Sequence, residues 1–527
     1  METNLTGLSI IGSGRGKPNS RTFSAFDPKT GEEIGPQFFS ADPQELQKAV
    51  DLAEAARIGY GKLSGLEKAR FLRKIAETIE NLGDVLIERA SMETGLPNAR
   101  FIGERGRTCS QLRMFADLLE EGSWVDARID RADPLRQPAA KPDVRSMLRP
   151  IGPVAVFCAG NFPLAFSVAG GDTASALAAG CPVVVNAHNS HPGTAELVGL
   201  AIRRAVEETG LPEGVFSLLF SKDYEIGQGL VGHPSIRAVG FTGSLKGGRA
   251  LMDIAARRKE PIPVYAEMGS INPVFLLPGA MREKTEEIAA GLHGSFNLGF
   301  GQFCTKPGVV FASDDENFLP FSAKLAELTL ETGSAPLLSG KIRDSFLEGI
   351  EERVKSAGLV YGSSALDGFA VNSAFFQTDA ETFLENGGLQ GEIFGPTTLL
   401  VKADNKENLL EIARTLEGQL TATVHGTEKD LAEFSDLIEI LETKAGRLIF
   451  NGFPTGVEVC PAMVHGGVFP ATSDSRSTSV GTRATERFAR LVCFQDFPQN
   501  SLPVELRDHN PLGIHRLIDG EFSRVPI

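Results

Sequence analysis

A chain of 527 residues exceeds what one simple core organises, so two or three domains are expected. Its 42% hydrophobic and 23% charged content is that of an ordinary soluble globular protein, and a formal charge of −15 argues against nucleic acid or an anionic membrane as the main partner, since both demand a basic footprint. A small anionic substrate, held by a few local arginines, remains compatible with that charge. The six cysteines (Cys109, Cys158, Cys181, Cys304, Cys460, Cys493) show no CxxC or CxxH spacing and read as reduced cytoplasmic thiols, with no disulfide frame and no zinc site. The N-terminus lacks a basic segment followed by an apolar one, so no signal peptide is expected. The most apolar region, 151–185, is broken by Gly, Pro, Asn and Asp before it reaches the ~20 residues of a membrane span.

In chain order, residues 22–40 are turn-rich and suit an exposed strand–turn–strand. Asp42-Pro43-Gln44-Glu45 is a strong helix start, with an N-cap carboxylate, proline at the first position and glutamate at the third. Helical spacing of apolar residues continues to about 121. A proline-rich charged segment, 132–150, follows; it is either a linker or a β-ribbon reaching another domain or subunit. From Ile151, short buried runs (GPVAVFCAG, CPVVVNAH, GVFSLLFS, IRAVGFTGS) alternate with helical segments, the pattern of a parallel sheet covered on both faces. The last run enters T-G-S-L-K-G-G at a helix start, where free backbone N–H groups suit a phosphate; Gly243 and Gly248 are spaced more loosely than in G-x-G-x-x-G. Past residue 304 a second α/β pattern appears, with strand-like TTLLVKA, LTATVHG and GRLIFNG.

Between the two patterns stand Glu267, in V-Y-A-E-M-G, and Cys304, ending a glycine-rich turn. A carboxylate among apolar neighbours has its pKa raised toward the range of a general base. A cysteine among backbone amides can ionise and attack a carbonyl, although such a residue is otherwise a small core side chain. The 37 residues between them (304 − 267) require a tertiary site.

The motifs A-G-N-F-P-L (159–164), G-F-T-G-S (240–244), E-M-G-S-I-N-P (267–273), G-Q-F-C (301–304) and E-I-F-G-P (392–396), in this order, resemble the aldehyde dehydrogenase superfamily. P-A-M-V-H-G-G (461–467) and the segment after it resemble the branch of α-ketoglutaric semialdehyde (2,5-dioxovalerate) and NADP-linked fatty aldehyde dehydrogenases. The resemblance implies an α/β fold with a Rossmann-type dinucleotide-binding domain (1–131 and 151–280), an α/β catalytic domain (281–489) and a small β oligomerisation ribbon with a tail (132–150 and 490–527). It implies oxidation of an aldehyde to an acid through a thioester on Cys304, with Glu267 activating water and the Asn161 amide and Cys304 N–H holding the oxyanion. Glu392 and Phe394 match the residues beside the nicotinamide ribose and ring. Gly243, Ser244 and Gly248 fall at the phosphate turn. His465 resembles a histidine near the thiol that assists deprotonation; a structural histidine is the alternative.

This chain departs from the branch where Asn186-Ala187-His188-Asn189 replaces K-A-H-P. Asn186 gives up a charge-assisted bond to an adenosine 2′-phosphate, while Asn189 removes the glutamate that would repel one. NADP is expected, with NAD possible; Lys222 and Lys246 are candidate compensating cations. The expected substrate is α-ketoglutaric semialdehyde, its carboxylate held by Arg476 or Arg483. A fatty or other semialdehyde would instead use apolar walls from Phe162, Phe166, Phe296 and Phe303. A catalytically silent dinucleotide-binding member, and a thiol acyltransferase or hydrolase without nicotinamide, are the readings from other classes. A cytoplasmic homodimer or homotetramer with no metal completes the expectation.

Overall fold

The computed structural model describes residues 4–313, 315–362, 364 and 366–527. Met1–Thr3, at the head of the first expected domain, lie outside the described residues. The helix start at Asp42 is present: its carboxylate accepts from the N–H groups of Gln44 and Glu45, and Glu45 reaches back to the Asp42 N–H, a capping box that stabilises a helix end by ~1 kcal/mol. Helices Pro43–Gly61, Gly65–Glu80, Asp84–Thr94 and Asn98–Glu121 follow in succession.

The first sheet runs Val264–Glu267, Ala238–Thr242, Val154–Phe157, Val183–Asn186, Phe216–Leu219, then Ile10–Ile11 and Gly14–Arg15. The first five are parallel, and the last two join antiparallel. Strand order therefore reverses between Val154–Phe157 and Ala238–Thr242, the switch point of a doubly wound sheet, where the carboxyl ends leave a crevice. Side chains alternate faces: Val154, Val156, Val183, Val185 and Phe216 enter one core, while Ala155, Phe157, Val184 and Val239 enter the other.

The second sheet runs Gly358–Tyr361, Ala374–Asp379, Thr397–Ala403, Val309–Ser313, Val274–Leu276, Gln419–His425, Ala445–Phe450. All its pairings are parallel except that of Gly358–Tyr361. Strand Val274–Leu276 belongs here, so a boundary at 280 leaves one strand of the second sheet on the wrong side. That strand pairs between Val309–Ser313 and Gln419–His425. A third sheet pairs Val144–Pro150 with Ala489–Gln495 and continues through Arg128–Asp130, Arg516–Ile518 and Glu521–Ser523. Among the described residues no helix is long and apolar enough to cross a membrane.

Candidate active site

Cys304 follows a turn in which Gly299, Phe300 and Gly301 all take positive φ. Gly301 is required: a Cβ there would stand 2.2 Å from the carbonyl carbon of Gly395, so the E-I-F-G-P backbone lies directly against the turn. Two further residues lock the nucleophile loop. Asn272, fully buried at φ 47, brings Nδ2 to the carbonyl oxygens of Cys304 (2.8 Å) and Lys306 (3.0 Å). The buried Lys306 ammonium donates to the carbonyls of Ile393 and Thr397, each at 2.9 Å. The loops carrying Cys304 and Glu392 are thereby tied together.

Glu267 ends the edge strand Val264–Glu267, and His465 lies in the loop region that returns beside it. The imidazole Nε2 of His465 is 3.0 Å from Glu267 Oε1 and 3.5 Å from Cys304 Sγ, and Ser479 Oγ donates to Glu267 Oε2 at 3.2 Å. The sulfur, the ring nitrogen and a carboxylate oxygen all lie within 4.8 Å of one another. His465 is 2% exposed and Glu267 6%.

Two sequence expectations about charge are corrected by this packing. Burial pushes the Glu267 pKa up, but the adjacent His465, Cys304 and Ser479 outweigh it and hold the carboxyl below its ordinary value. Burial and the charges of Glu267 and Glu392 push the Cys304 thiol well above its ordinary value, with Arg107 opposing. The resting sulfur is a thiol, and it needs a proton acceptor before it can attack.

Asn161 sits beyond the end of strand Val154–Phe157, and its Nδ2 donates to the Gln302 carbonyl at 3.0 Å, placing the amide beside the nucleophile loop. Phe162, Phe166, Phe303 and Val480 form one apolar cluster there, joined by Val457, Val459 and Met463. Phe162 and Phe303 pack edge to face with centroids 5.0 Å apart, and the Phe166 ring is 5.8 Å from that of His465. Phe296 is not part of this wall; it is fully buried in the core of the second sheet.

The crevice at the switch point fits a dinucleotide. Ser244 caps helix Leu245–Arg257, accepting from the Gly247 N–H at 3.2 Å, and Gly243, Ser244, Leu245 and Lys246 are exposed. Gly248 brings the helix close to the sheet: a Cβ there would meet Met268 Sδ at 2.4 Å. An open cleft of about 700 Å³ between that helix and Tyr224–Gly232 is lined by Asp223, Tyr224, Glu225, Gln228, Gly229 and Ile254. Half-buried Asn186, at a strand's carboxyl end, accepts from Ser221 Oγ at 3.0 Å. Asn189 is exposed, its Nδ2 3.4 Å from the Lys222 carbonyl, and both Lys222 and Lys246 are exposed. His188 differs from expectation: its ring stacks on His191 at 5.4 Å and backs Gly160, where a Cβ would meet Cε1 at 2.7 Å. Burial pushes it down to about 3, so this neutral ring supports the Asn161 turn and supplies no cation to a phosphate. Glu392 opens onto solvent on one side, while on the other a Cβ at Gly269 would lie 2.5 Å from its Oε2. Phe394 is half-buried in the same loop.

The expected substrate arginines are also corrected. Arg476 is exposed and spends its guanidinium on Asp474 (3.0 Å), and Arg483 is exposed, because both sit on the outer side of the loop whose inner side carries His465 and Ser479. The cations whose charge is felt at Cys304 are Arg107, on helix Asn98–Glu121, and Arg447, on strand Ala445–Phe450. Arg107, Arg447 and Lys306 lie outside the five motifs, and Asn272, although inside E-M-G-S-I-N-P, has a role that only the folded contact with the nucleophile loop reveals.

Comparison with known proteins shows the family. The aldehyde dehydrogenase family profile matches residues 16–477. The chain is 48% identical over 521 residues to alpha-ketoglutaric semialdehyde dehydrogenase 2 of Azospirillum brasilense, covering 98% of this chain and 99% of the relative. It is 45% identical over 522 residues to alpha-ketoglutaric semialdehyde dehydrogenase of Acinetobacter baylyi, with the same coverage. Among solved structures it resembles 1-pyrroline-5-carboxylate dehydrogenase from Thermus with bound NAD (TM-score 0.78, 20% identity, 92% of each chain). It also resembles an aldehyde dehydrogenase from Bacillus cereus (TM-score 0.80, 22% identity, 94% of this chain and 97% of that one). The chain belongs to the aldehyde dehydrogenase family and is an NAD(P)-dependent aldehyde-oxidising oxidoreductase.

Proposed function

We propose that the chain oxidises α-ketoglutaric semialdehyde to 2-oxoglutarate, with NADP preferred over NAD, through a thioester on Cys304. The observation that carries this reading is the convergence of Cys304, His465 and Glu267 beside the Asn161 amide, in a chain nearly half identical to two relatives named for that substrate. The Cys304 proton passes to the His465–Glu267 pair, whose Nε2 lies 3.5 Å from Sγ and 3.0 Å from Oε1. The thiolate adds to the aldehyde carbon, and the oxyanion is met by the Asn161 side-chain N–H and the Cys304 backbone N–H. The oxidised nicotinamide, when bound, supplies the hydride acceptor that turns this adduct into a thioester. Glu267 then takes a proton from the water that attacks the thioester, and Cys304 is released as a thiol.

Glu392 and Phe394 would meet the nicotinamide ribose and ring, the Gly243–Ser244 turn and Gly248 the diphosphate, and Asn186 with Asn189 the adenosine ribose. Asp223 and Glu225 on the cleft rim are both ion-paired to Arg21, each at 2.8 Å, so the rim is no bare negative field against a 2′-phosphate. The units we assign are a dinucleotide-binding domain (1–131 and 151 to about 273), a catalytic domain (to 489) and the ribbon with its tail (132–150 and 490–527). The membership of the three sheets supports this division. Edge strand Ala489–Gln495 with exposed Leu491, and exposed Phe497 and Phe522, support a homodimer or homotetramer built through that ribbon. Six unpaired cysteines support a cytoplasmic site.

The test is steady-state kinetics with NADP and NAD on α-ketoglutaric semialdehyde, succinic semialdehyde and a medium-chain aldehyde. The first substrate is expected to give the highest kcat/KM, and Cys304→Ser no reduction of the nicotinamide. A preference for the medium-chain aldehyde would make the apolar cluster, not a carboxylate site, the specificity element.

A further inference from the structure

Helix Asn98–Glu121 turns Arg100, Glu104 and Arg107 toward the catalytic cluster. Two of the three charges are accounted for. Glu104, 4% exposed, accepts from the N–H groups of Leu164 and Ala165 at 2.9 Å each and pairs with Arg100 Nε at 3.2 Å. Arg100 also lies over the rings of Phe162 (4.4 Å) and Phe303 (4.7 Å). Arg107 is different. Its guanidinium stands 5.0 Å over Phe166, whose ring is 5.8 Å from that of His465, and its Nη1 is buried without a hydrogen-bond partner. Among the described residues no ion pair holds it, and Glu104 is the carboxylate whose charge acts on it most. Arg107 is half-buried, and a buried guanidinium N–H left unpaired is costly, a cost that a ligand carboxylate would remove.

We infer that Arg107 is the receptor for the distal carboxylate of the aldehyde substrate, and so the residue that selects anionic aldehydes; the inference rests on the semialdehyde reading above. Its planar fork suits a carboxylate bidentately. Arg447 also feels the charge of the sulfur, but its two Nη groups are given to the carbonyls of Gly456 (3.1 Å) and Pro454 (2.6 Å), and only its buried Nε lacks a partner. Arg100 is committed to Glu104. Phe162, Phe166 and Phe303 then pack the methylene chain, leaving the charged end for Arg107.

The experiment compares kcat/KM on α-ketoglutaric semialdehyde with that on pentanal, an uncharged aldehyde of the same chain length, in wild type, Arg107→Met, Arg107→Lys and Arg447→Met. The anionic-to-neutral ratio is expected to fall about 100-fold in Arg107→Met, chiefly through KM, with Arg107→Lys in between and Arg447→Met near wild type. Glutarate, added as a dead-end anion, should slow alkylation of Cys304 by iodoacetamide in wild type and much less in Arg107→Met. An equal fall on both aldehydes would assign Arg107 to thiol activation and overturn the inference, as would a ratio that collapses only in Arg447→Met. A wild type that prefers pentanal would instead refute the semialdehyde reading, so the two failures are separable.

Discussion

Glu267 and His465, 198 residues apart in the chain, meet through Oε1 and Nε2 at 3.0 Å inside a site where both are almost fully buried. The carboxylate acts on the third member of the group in a defined direction. Its negative charge pushes the Cys304 pKa up, so Glu267→Gln should make the sulfur more acidic. We expect iodoacetamide to alkylate Cys304 several-fold faster at pH 7 in Glu267→Gln than in wild type, while steady-state turnover falls by at least 100-fold because hydrolysis of the thioester has lost its base. In wild type the alkylation rate should climb about tenfold per pH unit through the ordinary thiol range, since a raised pKa leaves only a small thiolate fraction there. Slower alkylation in Glu267→Gln would mean that the carboxylate, not the imidazole, receives the thiol proton.

The Asn161 amide is held beside the nucleophile loop by one N–H to the Gln302 carbonyl, which leaves the other N–H for a developing oxyanion. Asn161→Ala should lower kcat by about 10² to 10³ with a much smaller change in aldehyde KM. The rate of iodoacetamide alkylation, which forms no oxyanion, should change little; a matching loss there would make Asn161 a loop-positioning residue.

At the proposed adenosine end, Asn186 is occupied by the Ser221 hydroxyl, and the neighbouring Asn189 and Lys222 side chains are solvent-exposed. A cation at 186 would reach a 2′-phosphate with a charge-assisted bond, stronger than that of a neutral amide. Asn186→Lys is expected to lower the KM for NADP about tenfold and to leave that for NAD within about threefold. Equal changes for both dinucleotides would place residue 186 away from the 2′-position.

How much of this was legible in the sequence depended on whether a residue's role is local. The Asp42 capping box, the buried runs of the first sheet and the five motifs are carried by neighbours in the chain, so composition and spacing reveal them. The strand Ala374–Asp379 and the short strand Ile10–Ile11 were missed, because pairing partners distant in sequence define them. The charge states of Glu267 and Cys304 were misjudged for the same reason: local apolar context suggests a raised carboxyl, whereas His465 and Ser479 arrive from about 200 residues away. Arg107 carries no motif at all, and only the fold brings it over Phe166.

Lys306 follows the nucleophile by two residues and reads as surface charge, yet it is 1% exposed and bridges the carbonyls of Ile393 and Thr397. Burial pushes its pKa down, with the charge of Glu392 opposing. Lys306→Met keeps the stem but leaves two carbonyls unpaired, at about 1–3 kcal/mol each. Because the tether holds the loop that carries Glu392 and Phe394, the dinucleotide KM should rise five- to tenfold while kcat falls less, and thermal unfolding should shift down by several degrees. An unchanged dinucleotide KM and unfolding temperature would show that the loop is held by Gly301–Gly395 packing.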